Sequence, residues 1–241
     1  MIYIPHKSVQ LPFGKDNMYF HQLFYAILQV SEDYIKYEVE FGEGRKGYNR
    51  HLERIFAYEL YRRWGNIIEA DKEDLMLNAE IDKVININSI LIETEEVQTP
   101  LKTEEIKLYP DIVLHHSQGD VNKQIIICEI KRNHQLTGSK IFGDMYKTSC
   151  YMTKGIFGEG KEPYKYGVFL IVGSGLSIIR DRVKCNTEIN INDCRKVEFK
   201  DFIKDQILSP SFDRIVCVAY DGTNLEYNTL NKLTDDILTQ E

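Results

Sequence analysis

Two apolar runs joined by a short polar turn constrain the fold of this chain more than any other feature. The runs are LYPDIVLHH and QIIICEIKR, and SQGDVNK separates them. Such runs around a turn-forming stretch predict an antiparallel hairpin. Because side chains alternate along a strand, Glu129 and Lys131 should share one face, roughly 6–7 Å apart. If the turn centres on Asp120, Asp111 lies opposite Glu129 with Cβ atoms about 5 Å apart, unless a bulge shifts the register.

The charged residues of this hairpin are costly unless they serve a site. QIIICEIK otherwise suits a buried central strand, and two adjacent carboxylates repel each other. A hard divalent cation resolves the conflict, with Mg²⁺ the natural choice and Mn²⁺ a substitute. We therefore expect Asp111, Glu129 and the backbone carbonyl of Ile130 to bind a metal, and Lys131 to orient or acidify a water or to stabilise phosphate charge. The alternative is a strand that ends in Glu-Ile-Lys at a sheet edge.

The rest of the chain reads as helices and strands in alternation. Residues 16–41 are expected to be helical at least to Val30, and a glycine-rich loop follows at 42–47. The clearest helix is predicted over 48–64, where an apolar stripe recurs at i, i+4 spacing and consists of Leu52, Phe56, Leu60 and Trp64. Further strands are predicted in LMLNAEI, KVININSILI, YKYGVFLIVG and DRIVCVAYDG, and further helices over 140–153 and 197–208.

This order predicts an α/β fold with a central mixed sheet of four to five strands flanked by helices. The length suits one domain over residues 1–241. Within it we expect an N-terminal helical segment and glycine-rich loop at 1–47, a core at 48–221, and a helical, loosely held tail at 222–241.

Pro110-Asp111 together with Glu129-Ile130-Lys131 resembles the signature of the PD-(D/E)xK nuclease superfamily. The resemblance covers roughly residues 49–173 and extends to bacterial members in which a helical Glu-Arg segment precedes the hairpin. It implies a restriction-endonuclease-like core in αβββαβ order. It also implies Mg²⁺-dependent hydrolysis of DNA, on which most of the superfamily acts, with a metal-activated water as nucleophile. RNA remains the alternative substrate, and an exonuclease remains the alternative to the expected endonuclease.

The family commonly adds a glutamate from the helix before the sheet, and Glu53 and Glu59 are the candidates here. Glu53 falls inside the apolar stripe, where a carboxylate needs a partner, whereas Glu59 lies at its edge. Glu53 is therefore preferred as a catalytic and metal-binding residue. Glu80 is a third candidate. Either helical glutamate would otherwise pair with arginines on a solvated face.

Phosphate contacts are expected from Arg54, Arg132 and Lys147. Lys147 lies in the helix after the hairpin, which often borders the active site in this superfamily. The two arginines belong to two basic clusters that flank the site in sequence. These clusters contain Arg45, Lys46, Arg50, Arg54, Arg62 and Arg63, and then Lys131, Arg132, His134 and Lys140. The alternative for each is a solvated face.

Composition limits the function classes. The net charge of −7 and a pI near 5.5 are not the footprint of a protein held on DNA mainly by charge. The five cysteines show no paired spacing, so we expect no zinc site and a reducing, cytoplasmic location. No apolar stretch of about 18 residues and no secretory signal are visible, so no membrane association is expected.

Two alternatives to a nuclease remain. One is a catalytically inactive nuclease-fold module that binds nucleic acid or a protein, towards which the acidic charge leans. The other is a nucleotide-dependent enzyme, which rests on GEGRKG at 42–47 matching GxGxxG. That motif lacks the βαβ context it requires, so a flexible connector is the preferred interpretation. A homodimer is compatible with the resemblance, since many such enzymes cut both strands as dimers.

Overall fold

Helices and strands alternate along the chain. The computed structural model describes residues 10–35, 38–41, 45–48, 52–71, 74–79, 83–86, 105–108, 110–116, 124–133, 136–153, 162–192 and 195–239. The helices are α1 (Asn17–Leu28), α2 (Leu52–Asp71), α3 (Gly138–Tyr151), α4 (Ser177–Arg182), α5 (Phe199–Phe202) and α6 (Leu230–Leu238). The strands are β1 (Glu38–Phe41), β2 (Arg45–Tyr48), β3 (Leu75–Ala79), β4 (Lys83–Asn86), β5 (Glu105–Leu108), β6 (Ile112–His116), β7 (Gln124–Arg132), β8 (Tyr166–Val172), β9 (Glu188–Asn192), β10 (Arg195–Glu198), β11 (Ile215–Tyr220) and β12 (Leu225–Thr229).

A six-stranded mixed sheet forms the centre of the fold, in the spatial order β12-β11-β8-β7-β6-β3. Strand β8 runs parallel to both β7 and β11, and the other neighbours are antiparallel. The predicted mixed α/β class is confirmed. The sheet is larger than the predicted four to five strands because β12 pairs with β11 along one edge.

Two apolar cores lie on opposite faces of this sheet. On β7, Ile126, Cys128 and Ile130 pack with α1 and α2, whereas Ile127 packs with the core formed by α3 to α6. This alternation is the period of a strand that is buried on both faces. No helix within the described ranges is long and apolar enough to cross a membrane.

Helix α2 carries the stripe that the sequence predicted. Phe56, Leu60 and Trp64 are all buried, and the stripe continues to Ile68. The helix begins at Leu52 and ends at Asp71, later at both ends than the predicted 48–64.

Helix α3 packs unusually close to β8 at Gly167. A Cβ atom on Gly167 would lie 2.5 Å from Cγ2 of Thr148 and 2.8 Å from Sδ of Met152. Both distances are shorter than any van der Waals contact, so the spacing between the helix and the sheet requires glycine there.

Four predicted segments differ from the structure. Residues 45–47, expected in a flexible connector, belong to β2, which pairs with β1 from Glu38↔Tyr48 to Phe41↔Arg45. Residues 42–44 lie outside the described residues. The first predicted helix ends at Leu28 rather than reaching Val30.

The other two differences lie near the C-terminus. The helix expected over 197–208 is replaced by the end of β10, the short α5 and a turn, because β10 pairs with β9 while the rings of Phe199 and Phe202 pack 5.2 Å from Phe142. Residues 225–229, expected to be helical, form β12 instead, and all five pair with β11. The first outcome depends on Phe142, which is distant in sequence, whereas β12 pairs with the strand directly before it, across a turn at 221–224.

Asp16 ties the start of α1 to the sheet. Its carboxylate accepts a hydrogen bond of 2.8 Å from the Tyr166 hydroxyl and forms a short ion pair with Lys165. Burial raises the pKa of Asp16, but the bonds from Lys165 and Tyr166 outweigh burial and hold the pKa below its ordinary value. The ionised carboxylate therefore stabilises the fold above the ordinary aspartate pKa, and this contribution is lost as the pH falls through the lowered pKa.

We expect Asp16→Asn to lower the free energy of unfolding by about 1–2 kcal/mol at pH 7, because the amide does not replace a charged acceptor for two donors. The deficit should shrink as the pH falls below the ordinary aspartate pKa of about 3.9. Urea unfolding of wild type and variant across this range measures it, with the exposed Asp213→Asn as control. A deficit that stays constant down to acid pH would contradict this role for the carboxylate.

Candidate metal and phosphodiester site

The β6–β7 hairpin has the register predicted from its turn. Ile112 pairs with Cys128, Val113 with Ile127, and Leu114 with Ile126. Continued by one residue, this register places Asp111 opposite Glu129. A bulge between Leu114 and His115 lies on the turn side of these pairs and leaves the site end in register.

Asp111 is held by the backbone of the neighbouring strand. It precedes β6, and its Oδ2 accepts a hydrogen bond of 2.7 Å from the Ile130 amide. One carboxylate oxygen is thereby oriented by main chain rather than by a side chain that can rotate. The bond places Asp111 beside β7, between the positions of Glu129 and Lys131.

Glu129 and Lys131 lie on the same face of β7, as the strand period requires. Glu129 is almost fully buried, and its Oε2 lies 2.8 Å from Nζ of Lys147 on α3. Asp144, one turn earlier on α3, lies 3.4 Å from Lys147 Nζ and 3.7 Å from Lys131 Nζ. The two lysines and two of the carboxylates therefore alternate in a chain of ion pairs between β7 and α3.

Helix α2 adds Glu53 from the other side. Oε1 of Glu53 lies 3.5 Å from Nζ of Lys131, and its side chain is 33% exposed. Glu59 is instead only 10% exposed and pairs with Arg62 at 2.6 Å and Arg63 at 2.7 Å on its own helix. Those pairs, chiefly the hydrogen bond from Arg62, lower the pKa of Glu59 to about 2 against the opposing effect of burial.

Of the two candidate glutamates on α2, the preferred one, Glu53, lies beside Lys131, but the argument for choosing it was wrong. Glu53 was chosen as the more buried residue, whereas Glu59 is more buried and satisfies its charge with arginines. Position along the helix decides the outcome, because Glu53 lies in the first turn, beside Lys131. The third candidate, Glu80, lies outside the described residues.

Burial dominates the electrostatics of the two hairpin carboxylates. It raises the pKa of Asp111, against the opposing effects of Lys131 and of the Ile130 amide. It also raises the pKa of Glu129, opposed chiefly by Lys147 and reinforced by Asp111. Both groups therefore gain from a nearby positive charge more than an exposed carboxylate would.

For the two lysines, burial and the neighbouring carboxylates shift the pKa in opposite directions. Burial disfavours the charge of Lys131, but Asp144, Asp111 and Glu53 together raise its pKa above the ordinary value. Burial likewise opposes the charge of Lys147, and Glu129 and Asp144 raise its pKa. Both lysines are therefore cations at neutral pH, fit to donate hydrogen bonds and not to accept protons.

The donor set fits a hard divalent cation. Asp111, Glu129, Glu53 and Asp144 offer carboxylate oxygens, the ligands that Mg²⁺ prefers, and Lys131 and Lys147 neutralise only part of their charge. Glu129 Oε1 is buried and has no hydrogen-bond partner within the described residues. A buried, unpaired carboxylate oxygen is costly and is a ready ligand. No group of three or more His, Cys, Asp or Glu in the described part of the chain is already arranged to hold an ion.

Of the three residues expected to contact phosphate, two lie at or beside the site and one does not. Lys147 lies inside the site, and Arg54 lines a cleft beside Asp111 and Glu53. Arg132 does not reach the site: its side chain is buried and donates to the carbonyl of Ile35. The physical reason is strand alternation, since Arg132 follows Lys131 on β7 and points to the opposite face.

Asp144 is the site residue that sequence reasoning did not assign. The available signal was its i, i+3 spacing from Lys147, which puts both side chains on one face of α3. The tandem histidines at the end of β6 make other contacts: the ring of His115 bonds to Asn78, and His116 contacts the carbonyl of Asp74. Of the basic clusters, Arg50 and His134 lie outside the described residues.

We expect Lys147→Met to destabilise the metal-free protein by less than the roughly 3–5 kcal/mol of an unpaired buried charge, because burial raises the pKa of Glu129 and its carboxyl takes up a proton once the counter-charge is gone. Glu129→Gln combined with Lys147→Met should recover part of that loss. A urea-unfolding double-mutant cycle in EDTA measures the coupling between the two residues, with the exposed Lys140→Met on the same helix as control. Strictly additive effects would argue against a direct buried pair.

No protein-family model, no curated protein and no solved structure matches this chain.

Proposed function

We propose that the protein is a divalent-metal-dependent nuclease that hydrolyses phosphodiester bonds, with DNA as its substrate. The observation that carries the proposal is the convergence of Asp111, Glu129 and Lys131 at one end of a hairpin, with a buried carboxylate oxygen of Glu129 left unpaired. A structural salt-bridge cluster has no need of such an oxygen, whereas a metal ligand does.

The order of elements around the hairpin supports a restriction-endonuclease-like core. Helix α2, strands β3, β6 and β7, helix α3 and strand β8 follow the αβββαβ pattern, apart from the separate β4–β5 pair between β3 and β6. The corresponding strands are adjacent in the sheet as β3-β6-β7-β8. In this proposal, β9 to β12 and α4 to α6 extend the core on the β8 side.

Each residue of the site has a distinct role in the proposal. Asp111, Glu129 and Glu53 would hold Mg²⁺, or Mn²⁺ in its place, with the Ile130 carbonyl as a further ligand. When bound, the ion supplies an acidified water and neutralises charge on the phosphate. Lys131 donates hydrogen bonds to the attacking water or to a phosphate oxygen, and its raised pKa excludes it as a general base.

Asp144 and Lys147 complete the arrangement from α3. Asp144 contacts both lysines and so fixes the position of Lys131 Nζ. Lys147 balances Glu129 in the metal-free protein and is available for a phosphate oxygen once a metal takes over that carboxylate. The site can thus exchange one counter-ion for another without leaving Glu129 uncompensated.

A second candidate is a nuclease-fold module that binds nucleic acid or a protein without cutting. It is favoured by the ion pairs of both lysines, which already satisfy much of the cluster internally, and by the net charge of −7. Metal binding separates the two candidates, since only the nuclease requires it.

The nuclease proposal predicts that the wild type nicks supercoiled plasmid with Mg²⁺ or Mn²⁺ but not with EDTA. Asp111→Ala, Glu129→Ala and Lys131→Ala should each lower the rate by about 10²-fold or more, as expected when a group that stabilises transition-state charge is lost. Asp213→Ala, which removes an exposed carboxylate elsewhere, is the matched control. Full activity in the three site variants would exclude the assignment.

Titration calorimetry with Mn²⁺ tests the metal site without requiring turnover. The wild type should bind the ion, and Asp111→Asn and Glu129→Gln should each weaken binding by about tenfold or more, since each removes an anionic ligand. Glu59→Gln should leave binding unchanged, because Glu59 is engaged by Arg62 and Arg63. If the wild type binds no Mn²⁺ while remaining folded, the non-catalytic module becomes the better proposal.

A further inference from the structure

A narrow cleft opens beside the site between α2 and the adjoining ends of β3 and β6. Its volume is about 170 Å³, and its lining consists of Glu53, Arg54, Ala57, Tyr58, Ala79 and Asp111. Pockets that enclose a whole ligand are usually roughly 300–1,000 Å³. The cleft therefore suits one group of a longer substrate, held directly beside Asp111.

The outer rim of this cleft carries an aromatic ring that the proposed catalysis does not use. Tyr58 is 51% exposed, and the other exposed large hydrophobic side chains in the described residues, Ile207 and Leu238, do not line the cleft. Arg54 and Tyr58 are four residues apart on α2, so their side chains follow each other along one row of the helix. Ala57, in the next row, has only a methyl group and leaves the space beside the ring open.

The positive charges of this site alone would bind a polyanion weakly. Lys131 and Lys147 are engaged with carboxylates, and Arg132 is buried on the other face of the sheet. The whole chain carries a net charge of −7. Arg54 at the cleft is a cation suited to phosphate contacts, and base stacking on an aromatic ring adds affinity beyond such contacts.

Building on the nuclease function proposed above, we propose that Tyr58 is a stacking platform for an unpaired base beside the scissile phosphate. The substrate class is then single-stranded nucleic acid, or a duplex with unpaired bases at the point of cleavage. In an intact duplex both faces of each base are covered by neighbours, and exposing one costs unstacking energy. The guanidinium plane of Arg54, in the same row as Tyr58, offers a second stacking surface.

Binding of end-labelled oligonucleotides in Ca²⁺, measured by fluorescence anisotropy, tests the platform without cleavage. The probes are an oligothymidine strand and a blunt-ended duplex of two fully complementary strands. Tyr58→Ala should weaken single-strand binding roughly 5- to 150-fold, the range for loss of one stacked base. Duplex binding should change less than twofold. Tyr58→Phe and Tyr58→Trp should retain single-strand binding, and Ile207→Ala, which truncates an exposed side chain elsewhere, should alter neither.

The platform would be overturned by equal loss of single-strand and duplex binding in Tyr58→Ala, by unchanged single-strand binding in that variant, or by no single-strand binding by the wild type. A thermal melt of each variant shows that the fold is retained, which is expected because Tyr58 is exposed. The plasmid and Mn²⁺ experiments test the nuclease function separately. Selective loss of strand binding without any cleavage by the wild type would leave the platform standing and remove the nuclease. Cleavage that is unaffected by Tyr58→Ala on every substrate would overturn the platform and leave the nuclease function standing.

Discussion

The site depends on one feature that costs folding free energy, the carboxylate of Glu129 buried on a central strand of the sheet. Glu129 lies on β7, between β6 and β8, where the neighbouring residues on both faces belong to apolar cores. A charge there requires a partner, and the partner comes from α3 as Lys147. Because Lys147 in turn contacts Asp144, and Asp144 contacts Lys131, one buried charge accounts for the arrangement of most of the site.

Those parts of the fold and site that depend on local periodicity were predictable from the sequence. The hairpin register follows from the turn position, and the stripe of α2 follows from its i, i+4 spacing. The pairing of β12 with β11 was not predicted, although the turn between them contains Asp221 and Gly222, because Leu225–Thr229 has too few apolar residues to read as a strand. Arg132 is a different case, since the alternation that placed Glu129 and Lys131 together also excludes the residue after Lys131.

The choice between Glu53 and Glu59 shows that burial does not identify which glutamate faces Lys131. Both are acidic residues of one helix, and the more buried of the two is a structural residue whose charge is satisfied by its own helix. Glu53 is more exposed because it borders an open cleft, which Asp111 also lines, and it faces Lys131. Candidate site residues on a helix are therefore better ranked by which element they face than by how deeply they are buried.

The close approach of α3 to β8 at Gly167 gives the site a mechanical dependence on a residue that carries no functional group. Gly167 pairs with Ile127 on β7, two residues before Glu129, and meets the half of α3 that follows Lys147. A side chain there would push against Thr148 and Met152, and a helix displaced outward would carry Lys147 away from Glu129. Because Gly167 has no side chain, α3 lies close enough to the sheet for Lys147 to reach Glu129.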